Sequence, residues 1–138
     1  METDVTQFMW ASEMGENPSE LQDGEDSVMV EINGRQIRMQ PDHPVENITW
    51  WSALEFADRK SKQEGLEPAY DLSQIEWKPG TRAEDGTLSP ASDEEAKKLK
   101  INAPGGDIYQ TKGFRLPTQN DLPEGALAGF YAEFERLK

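Results

Sequence analysis

Acidic side chains are the residues of this sequence whose types and spacing could do chemistry. They fall in short clusters, namely Asp23/Glu25/Asp26, Glu84/Asp85 and Asp93/Glu94/Glu95. Carboxylates grouped this closely are the ligands that a hard cation such as calcium prefers. The spacing lacks the loop length and the terminal bidentate acid of an EF-hand. The sequence therefore favours solvated acidic loops and does not support a calcium site.

Cysteine and histidine, which supply most nucleophilic and transition-metal sites, are almost missing. The chain has no cysteine and one histidine, His43, so it cannot form a disulfide, a thiolate metal site or a thiol nucleophile. His43 stands between Asp42 and Pro44 and is predicted to be an exposed loop residue. No nucleophile elbow or phosphate-binding glycine loop is present, and Gly105-Gly106 is interpreted as a turn. The sequence assigns no catalytic, cofactor-binding or metal-ligating residue.

The formal net charge of −13 restricts the class of partner. The first base of the chain is Arg35, after nine acidic residues. Nucleic acids and anionic membranes select basic surfaces, so we expect neither as a partner. Another protein is the partner class that remains, and the oligomeric state is left open.

Length and composition predict the size and compartment of the folded unit. With 138 residues, the chain is expected to form one domain over 1–138. Only 35% of the residues are hydrophobic, and 11 Gly and nine Pro favour a loop-rich fold. Neither a run of about 18 apolar residues nor a signal-peptide pattern is visible, which predicts a cytoplasmic protein.

Two local patterns predict the first elements. The apolar spacing over residues 6–14 indicates a short helix. Asn33-Gly34 lies between two alternating runs and predicts a type I′ hairpin over Val28–Met39, with Val30 opposite Ile37. Because two strands alone are marginally stable in water, the apolar face of this hairpin must pack on another element.

The main core helix is predicted to begin after Thr49, its N-cap, and to end before Gly65. Its last turns, Asp58 to Gln63, are expected to be charged and solvated. The stripe that faces the core consists of Trp50, Ala53, Leu54 and Ala57.

The remaining elements are shorter. We expect a strand or hairpin limb over residues 69–77, a helix that begins at the Ser92/Glu95 capping box and ends near Leu99, and a strand within 108–116. A final helix over 123–138, introduced by Pro123, carries an apolar stripe that is the candidate partner-binding surface. Its residues are Leu127, Phe130, Tyr131, Phe134 and Leu137.

Five strings in a fixed order go beyond generic composition. They are DVTQ at 4–7, MGENPS at 14–19, PVENITWWSA at 44–53, EGLEPAY at 64–70 and GFRLPT at 113–118. Together they resemble the formylglycine-generating enzyme (sulfatase-modifying factor) family over about residues 5–118. The resemblance implies an α+β, loop-rich fold of the C-type lectin kind. It also implies structural roles for four residues: Asn47 satisfies backbone groups at the helix entry, Trp50 and Trp51 fill the core, and Arg115 pairs with a buried acid or carbonyl.

Departures from the family pattern are equally informative. After Thr118 the family's continuation is replaced by a different sequence, so the scaffold is expected to be truncated, with the hairpin and the C-terminal helix added. The family's opening strand is also expected to be missing. Formylglycine generation in this family uses copper held by two thiolates, and its iron-dependent relatives need two or three histidines. Neither donor set exists in this chain.

These observations predict a non-catalytic protein-interaction module on a degenerate scaffold of this family. The alternative is one segment of a split or multi-chain enzyme whose catalytic half lies elsewhere. A lectin-like binder that uses the loops over 78–107 is a third hypothesis.

Overall fold

The computed structural model describes residues 2–106, 111, 113–116 and 131–134. These residues form an α+β structure with short sheets, which confirms the predicted class. The helices are α1 (Gln7–Met14), α2 (Trp50–Gln63) and α3 (Asp93–Ala96), and the strands are β1 (Glu2–Asp4), β2 (Val28–Ile32), β3 (Arg35–Met39), β4 (Tyr70–Asp71), β5 (Lys100–Ile101), β6 (Phe114–Arg115) and β7 (Tyr131–Phe134).

The described strands pair in three small antiparallel sheets. In the first, β7 lies between β1 and β6, so residues from opposite ends of the chain share one sheet. The second is the β2–β3 hairpin, and the third pairs β4 with β5. Isolated bridges join Thr6 to Pro44 and Trp77 to Pro90.

The β2–β3 hairpin has the predicted turn and register. Asn33 and Gly34 have φ angles of 51° and 81°, which is the left-handed pair that a type I′ turn requires. Val30 pairs with Ile37 as expected. The apolar face packs on α1, where Ile37 and Met39 form a buried cluster with Ala11. Helix α1 therefore provides the surface that the isolated hairpin lacks.

Helix α2 is the centre of the core. Thr49 caps it, because its hydroxyl oxygen accepts a hydrogen bond from the Ser52 backbone N–H at 3.1 Å. Leu54 and Phe56 are at most 1% exposed. Phe56 stacks on Trp10 of α1 with the ring centroids 5.2 Å apart. Burial of each such side chain contributes about 1.5–3 kcal/mol, so the α1–α2 contact is the main source of stability in this region.

A buried polar network fixes the loop between α1 and β2. The Gln7 side chain is fully buried. Its Oε1 accepts hydrogen bonds from Asn17 Nδ2 at 3.0 Å and from the Gln40 backbone N–H at 2.9 Å, and its Nε2 donates to the Leu21 carbonyl at 3.1 Å. Every polar atom of this amide has a partner, which is the condition for burying it without a penalty.

The backbone at residues 113 and 114 packs closely against α2. Phe114 donates its backbone N–H to Ser61 Oγ at 2.8 Å, and Ser61 donates to the Ala57 carbonyl at 2.8 Å. A side chain at position 113 would bring its Cβ within 2.4 Å of the Glu67 carbonyl oxygen. Gly113 is therefore required for this strand to approach the helix.

Two sequence predictions about the ends of the chain are wrong in the structure. Tyr131–Phe134 is strand β7 and not part of a helix, because pairing with both β1 and β6 supplies backbone hydrogen bonds that override the helical spacing. A strand that was not expected, Glu2–Asp4, also begins before the first family string and ends at the first residue of that string. Pro123, Leu127, Phe130 and Leu137 lie outside the described residues, so the partner-binding role of the stripe stays a prediction.

The structure agrees with the predicted roles of the four family-motif residues only in part. Trp50 is 39% exposed and does not fill the core, because it occupies the first position of α2, where the core ends. Trp51 is partly buried against the core. Asn47 donates its side-chain amide to the Pro18 carbonyl at 3.0 Å, so it holds the 14–19 turn and not the helix entry. Arg115 lies in β6, and the pairing of its side chain stays a prediction.

Candidate functional site

The acidic clusters singled out by spacing do not assemble a cation site in the described part of the chain. Within it, no group of three or more His, Asp or Glu side chains is arranged to hold a metal ion. Four cluster members instead form ion pairs with nearby basic side chains, and Asp26 contacts the His43 ring. The ion pairs are Asp23–Arg38 at 3.3 Å, Glu84–Arg59 at 2.7 Å, Glu94–Lys97 at 3.7 Å and Glu95–Lys98 at 2.6 Å, and Asp26 Oδ2 lies 3.2 Å from His43 Nε2.

His43 lies in a turn, as the sequence predicts. Its side chain is 42% exposed, and its Nε2 contacts Asp26.

The described residues contain no helix long and apolar enough to cross a membrane.

A cleft beside the C-terminal half of α2 is the feature that sequence reasoning missed. It has a volume of about 350 Å³ and lies between α2, strand β4 with the residues that flank it, and Asn102 just after β5. The lining residues are Glu55, Asp58, Lys62, Pro68, Tyr70, Asp71, Leu72, Ser73, Trp77 and Asn102.

Asp58 is the buried carboxylate of this cleft. It is 6% exposed, and its Oδ1 accepts a hydrogen bond from the Tyr70 backbone N–H at 3.1 Å. Burial raises the pKa of Asp58 from 3.8 to about 7; the Tyr70 hydrogen bond opposes this shift, and the nearby Glu55 carboxylate adds to it. Lys62 lowers the pKa and Asp71 raises it, each by a smaller amount. Asp58 therefore changes its charge near neutral pH.

Asp71 is the accessible carboxylate of the cleft. Its Oδ1 accepts hydrogen bonds from the Ser73 backbone N–H at 2.9 Å and from Ser73 Oγ at 2.6 Å. These bonds hold the pKa of Asp71 below its ordinary value. Asp71 is thus a fixed negative charge beside the titrating Asp58.

Aromatic side chains continue from the cleft wall along the surface. The Trp77 ring, which lines the cleft, meets Trp51 edge-on with centroids 5.8 Å apart, and Trp51 meets Trp50 in the same way at 5.0 Å. The bridge between Trp77 and Pro90 anchors the backbone that carries this wall.

The expectation that Asp58 to Gln63 is solvated is wrong for Asp58 and Ser61, which are buried. One signal was present in the sequence. Position 58 follows the buried Leu54 by four residues and Ala57 by one, so it falls at the edge of the core-facing stripe. A lone acid at such a position has to be buried or has to face a cleft.

Comparison with known proteins identifies the scaffold. The model of a family described as "Sulfatase-modifying factor enzyme 1-like domain" matches residues 1–135. The chain belongs to this family. The match confirms the resemblance drawn from the five strings and extends beyond residues 5–118 in both directions.

Two relatives are named for something other than catalysis. The chain is 27% identical over 126 residues to a protein named chaperone protein LppX from Paenibacillus barcinonensis, and the match covers 91% of this chain and 34% of that protein. Among solved structures, it is similar to Treponema denticola variable protein 1, with 25% identity and a TM-score of 0.52 over 86% of this chain and 37% of that one. The chain thus spans about a third of the length of each relative.

Proposed function

We propose that this chain is a non-catalytic protein-interaction module on a sulfatase-modifying-factor scaffold. The observation that carries the proposal is the donor set. The scaffold is kept over residues 1–135, yet the chain has no cysteine and one histidine. The residues present do not fit the thiolate-held copper of formylglycine generation or a histidine-held iron.

The names of the relatives support a binding role. One is named a chaperone and the other a variable protein, and neither name describes an enzyme. The apolar surface also supports it. Phe8, Met29 and Trp50 are between 39% and 48% exposed, and these residue types are enriched in contacts between proteins.

The first experiment separates binding from redox chemistry. The purified chain is mixed with copper, unbound copper is removed by gel filtration, and oxygen consumption with a cysteine-containing peptide is compared with that of the peptide alone in the same buffer. We expect no oxygen consumption above this background. Oxygen consumption that depends on tightly held copper would overturn the proposal.

The second experiment tests the chain as an independent module. Size-exclusion chromatography with light scattering and thermal unfolding should show a defined species that unfolds cooperatively. A protein captured from the native lysate is then identified, purified and titrated against the chain. An aggregated or molten chain that becomes ordered only with the remainder of an enzyme would favour the alternative, a segment of a split enzyme.

A further inference from the structure

The cleft beside α2 contains a carboxylate whose hydrogen bonding is incomplete. Within the described part of the chain, Asp58 accepts one hydrogen bond, through Oδ1 from Tyr70. Its Oδ2 receives none from these residues, although Asp58 is 6% exposed and lines the cleft. A buried carboxylate oxygen without a donor is expensive, so this atom is where a ligand that donates hydrogen bonds would gain most.

The charges of the cleft select a cation. Three carboxylates and one ammonium group line it. Glu55 is already engaged by Arg59 at 3.2 Å, which leaves Asp58 and Asp71 available. Both Ser73 bonds go to Oδ1 of Asp71, so the other oxygen of that carboxylate can also accept. The overall charge of −13 attracts a basic partner over a longer range.

The uncharged wall of the cleft suits the stem of a long side chain. Leu72, Pro68 and Trp77 line it beside the carboxylates. Lysine and arginine bury an apolar stem and carry their charge at the end, and a cation over an indole ring gains a further attraction. The volume of about 350 Å³ lies at the small end of the range of about 300–1,000 Å³ for ligand pockets.

We propose that this cleft binds a lysine or arginine side chain of a partner protein, with the cationic end between Asp58 and Asp71 and the stem against Leu72 and Trp77. The inference rests on the proposed interaction function and specifies the partner as a protein with an exposed basic side chain. A cation seated there favours the ionised form of Asp58. Binding therefore releases a proton and strengthens as the pH rises through about 7. The other charges that face Asp58 are Glu55 and Lys62 on α2 and Asp71 on β4.

The probe is an end-blocked pentapeptide, Gly-Leu-Arg-Leu-Gly, titrated into the full chain by calorimetry. The same peptide with glutamine in place of arginine is the matched control, and N-acetyl-arginine amide represents a free small cation. We expect the arginine peptide to bind about tenfold or more tightly than the glutamine peptide, as for one charge-assisted hydrogen bond. It should also bind more tightly than the free amide.

The variants are matched in charge and local geometry. Asp71→Asn removes a cleft carboxylate and keeps the acceptor oxygen of its turn. Asp85→Asn does the same outside the cleft, because Asp85 Oδ1 accepts from the Thr87 backbone N–H at 3.0 Å and from Thr87 Oγ1 at 2.5 Å. We expect Asp71→Asn and Asp58→Asn each to weaken binding about tenfold, and Asp85→Asn to leave it unchanged. Asp58→Asn should also abolish the rise in affinity between about pH 6 and about pH 8.

Three results would overturn the inference: equal binding of the arginine and glutamine peptides, equal binding by the Asp71→Asn and Asp85→Asn variants, or equal affinity for the peptide and the free amide. The last result would make the cleft a site for a small cation. If Asp58→Asn does not fold, the Asp71 and Asp85 pair still decides the question. A purified partner whose affinity is unchanged by both cleft variants would sink this inference and leave the proposed function standing.

Discussion

Gln7 and Asp58 are both buried polar side chains, but their surroundings are opposite. Gln7 has partners for both of its amide atoms: Asn17 and Leu21 in the loop between α1 and β2, and Gln40 just after β3. Asp58 has one described partner and faces a cleft. Complete hydrogen bonding is typical of a residue that holds the fold, whereas an incompletely bonded buried acid costs stability and is a candidate binding position. The two regions therefore predict opposite responses to substitution.

The largest effect is expected from Gln7→Leu. This change leaves the buried Gln40 backbone N–H without its acceptor and removes the two other hydrogen bonds. We expect the free energy of unfolding to fall by about 3–5 kcal/mol, measured by urea denaturation. Gln36→Leu, on the exposed side of β3, is the control and should change it by less than about 0.5 kcal/mol. Equal effects of the two changes would contradict a structural role for the network.

Asp58→Asn should raise the free energy of unfolding, whereas Gln7→Leu should lower it. Asn keeps the acceptor for Tyr70 but never ionises. Because the folded-state pKa of Asp58 is raised from 3.8 to about 7, its folded form loses stability as the pH rises between these values. The advantage of the variant should therefore grow between about pH 4 and about pH 7 and reach about 2–4 kcal/mol. Denaturation curves at several pH values measure it, and a pH-independent difference would contradict the raised pKa.

Ser61→Ala tests a fully bonded position one turn further along α2. The change removes the oxygen that accepts the Phe114 backbone N–H. We expect a loss of about 1–2 kcal/mol that does not vary with pH, measured in the same denaturation series. Ser12→Ala, on the exposed side of α1, serves as the control. A gain in stability would contradict the distinction between the two positions of α2.

Asp71→Asn should give the smallest effect on stability. The pKa of Asp71 is lowered by its bonds to Ser73, so its ionised form contributes stability at neutral pH that is lost as the pH falls through that lowered value. Removal of the charge should cost less than about 1 kcal/mol above about pH 4, since the site is open to solvent. Asp71→Asn should therefore lower the free energy of unfolding, whereas Asp58→Asn should raise it. A change in the same direction for both variants would show that the two carboxylates do not differ.

The parts of the fold that the sequence predicts are those specified by neighbouring residues. Asn33-Gly34 sets its hairpin and register because both residues adopt left-handed φ angles. Thr49 caps α2 as predicted, and α1 lies within the predicted range of residues 6–14. Ser92 caps α3, but that helix stops at Ala96, short of the predicted end.

The parts that the sequence missed depend on distant contacts. Strand β7 forms because β1 and β6 lie on either side of it, and no local pattern encodes that pairing. The cleft combines a helix face with residues near 70, 77 and 102. The family strings identified the scaffold, but the candidate site lies partly outside them, so resemblance alone did not point to it.

The three-stranded sheet also sets an order of events during synthesis. Glu2 pairs with Glu133, so β1 has no neighbour in that sheet until the ribosome has also synthesised β7. Helix α1, the hairpin and α2 are closer to one another in sequence, and all of them are synthesised before β7. Elements that are close in sequence assemble first. A nascent chain halted before β7 is made would carry the folded α1–hairpin–α2 unit and an unpaired β1, and an unpaired strand edge is prone to pair with another copy of the chain.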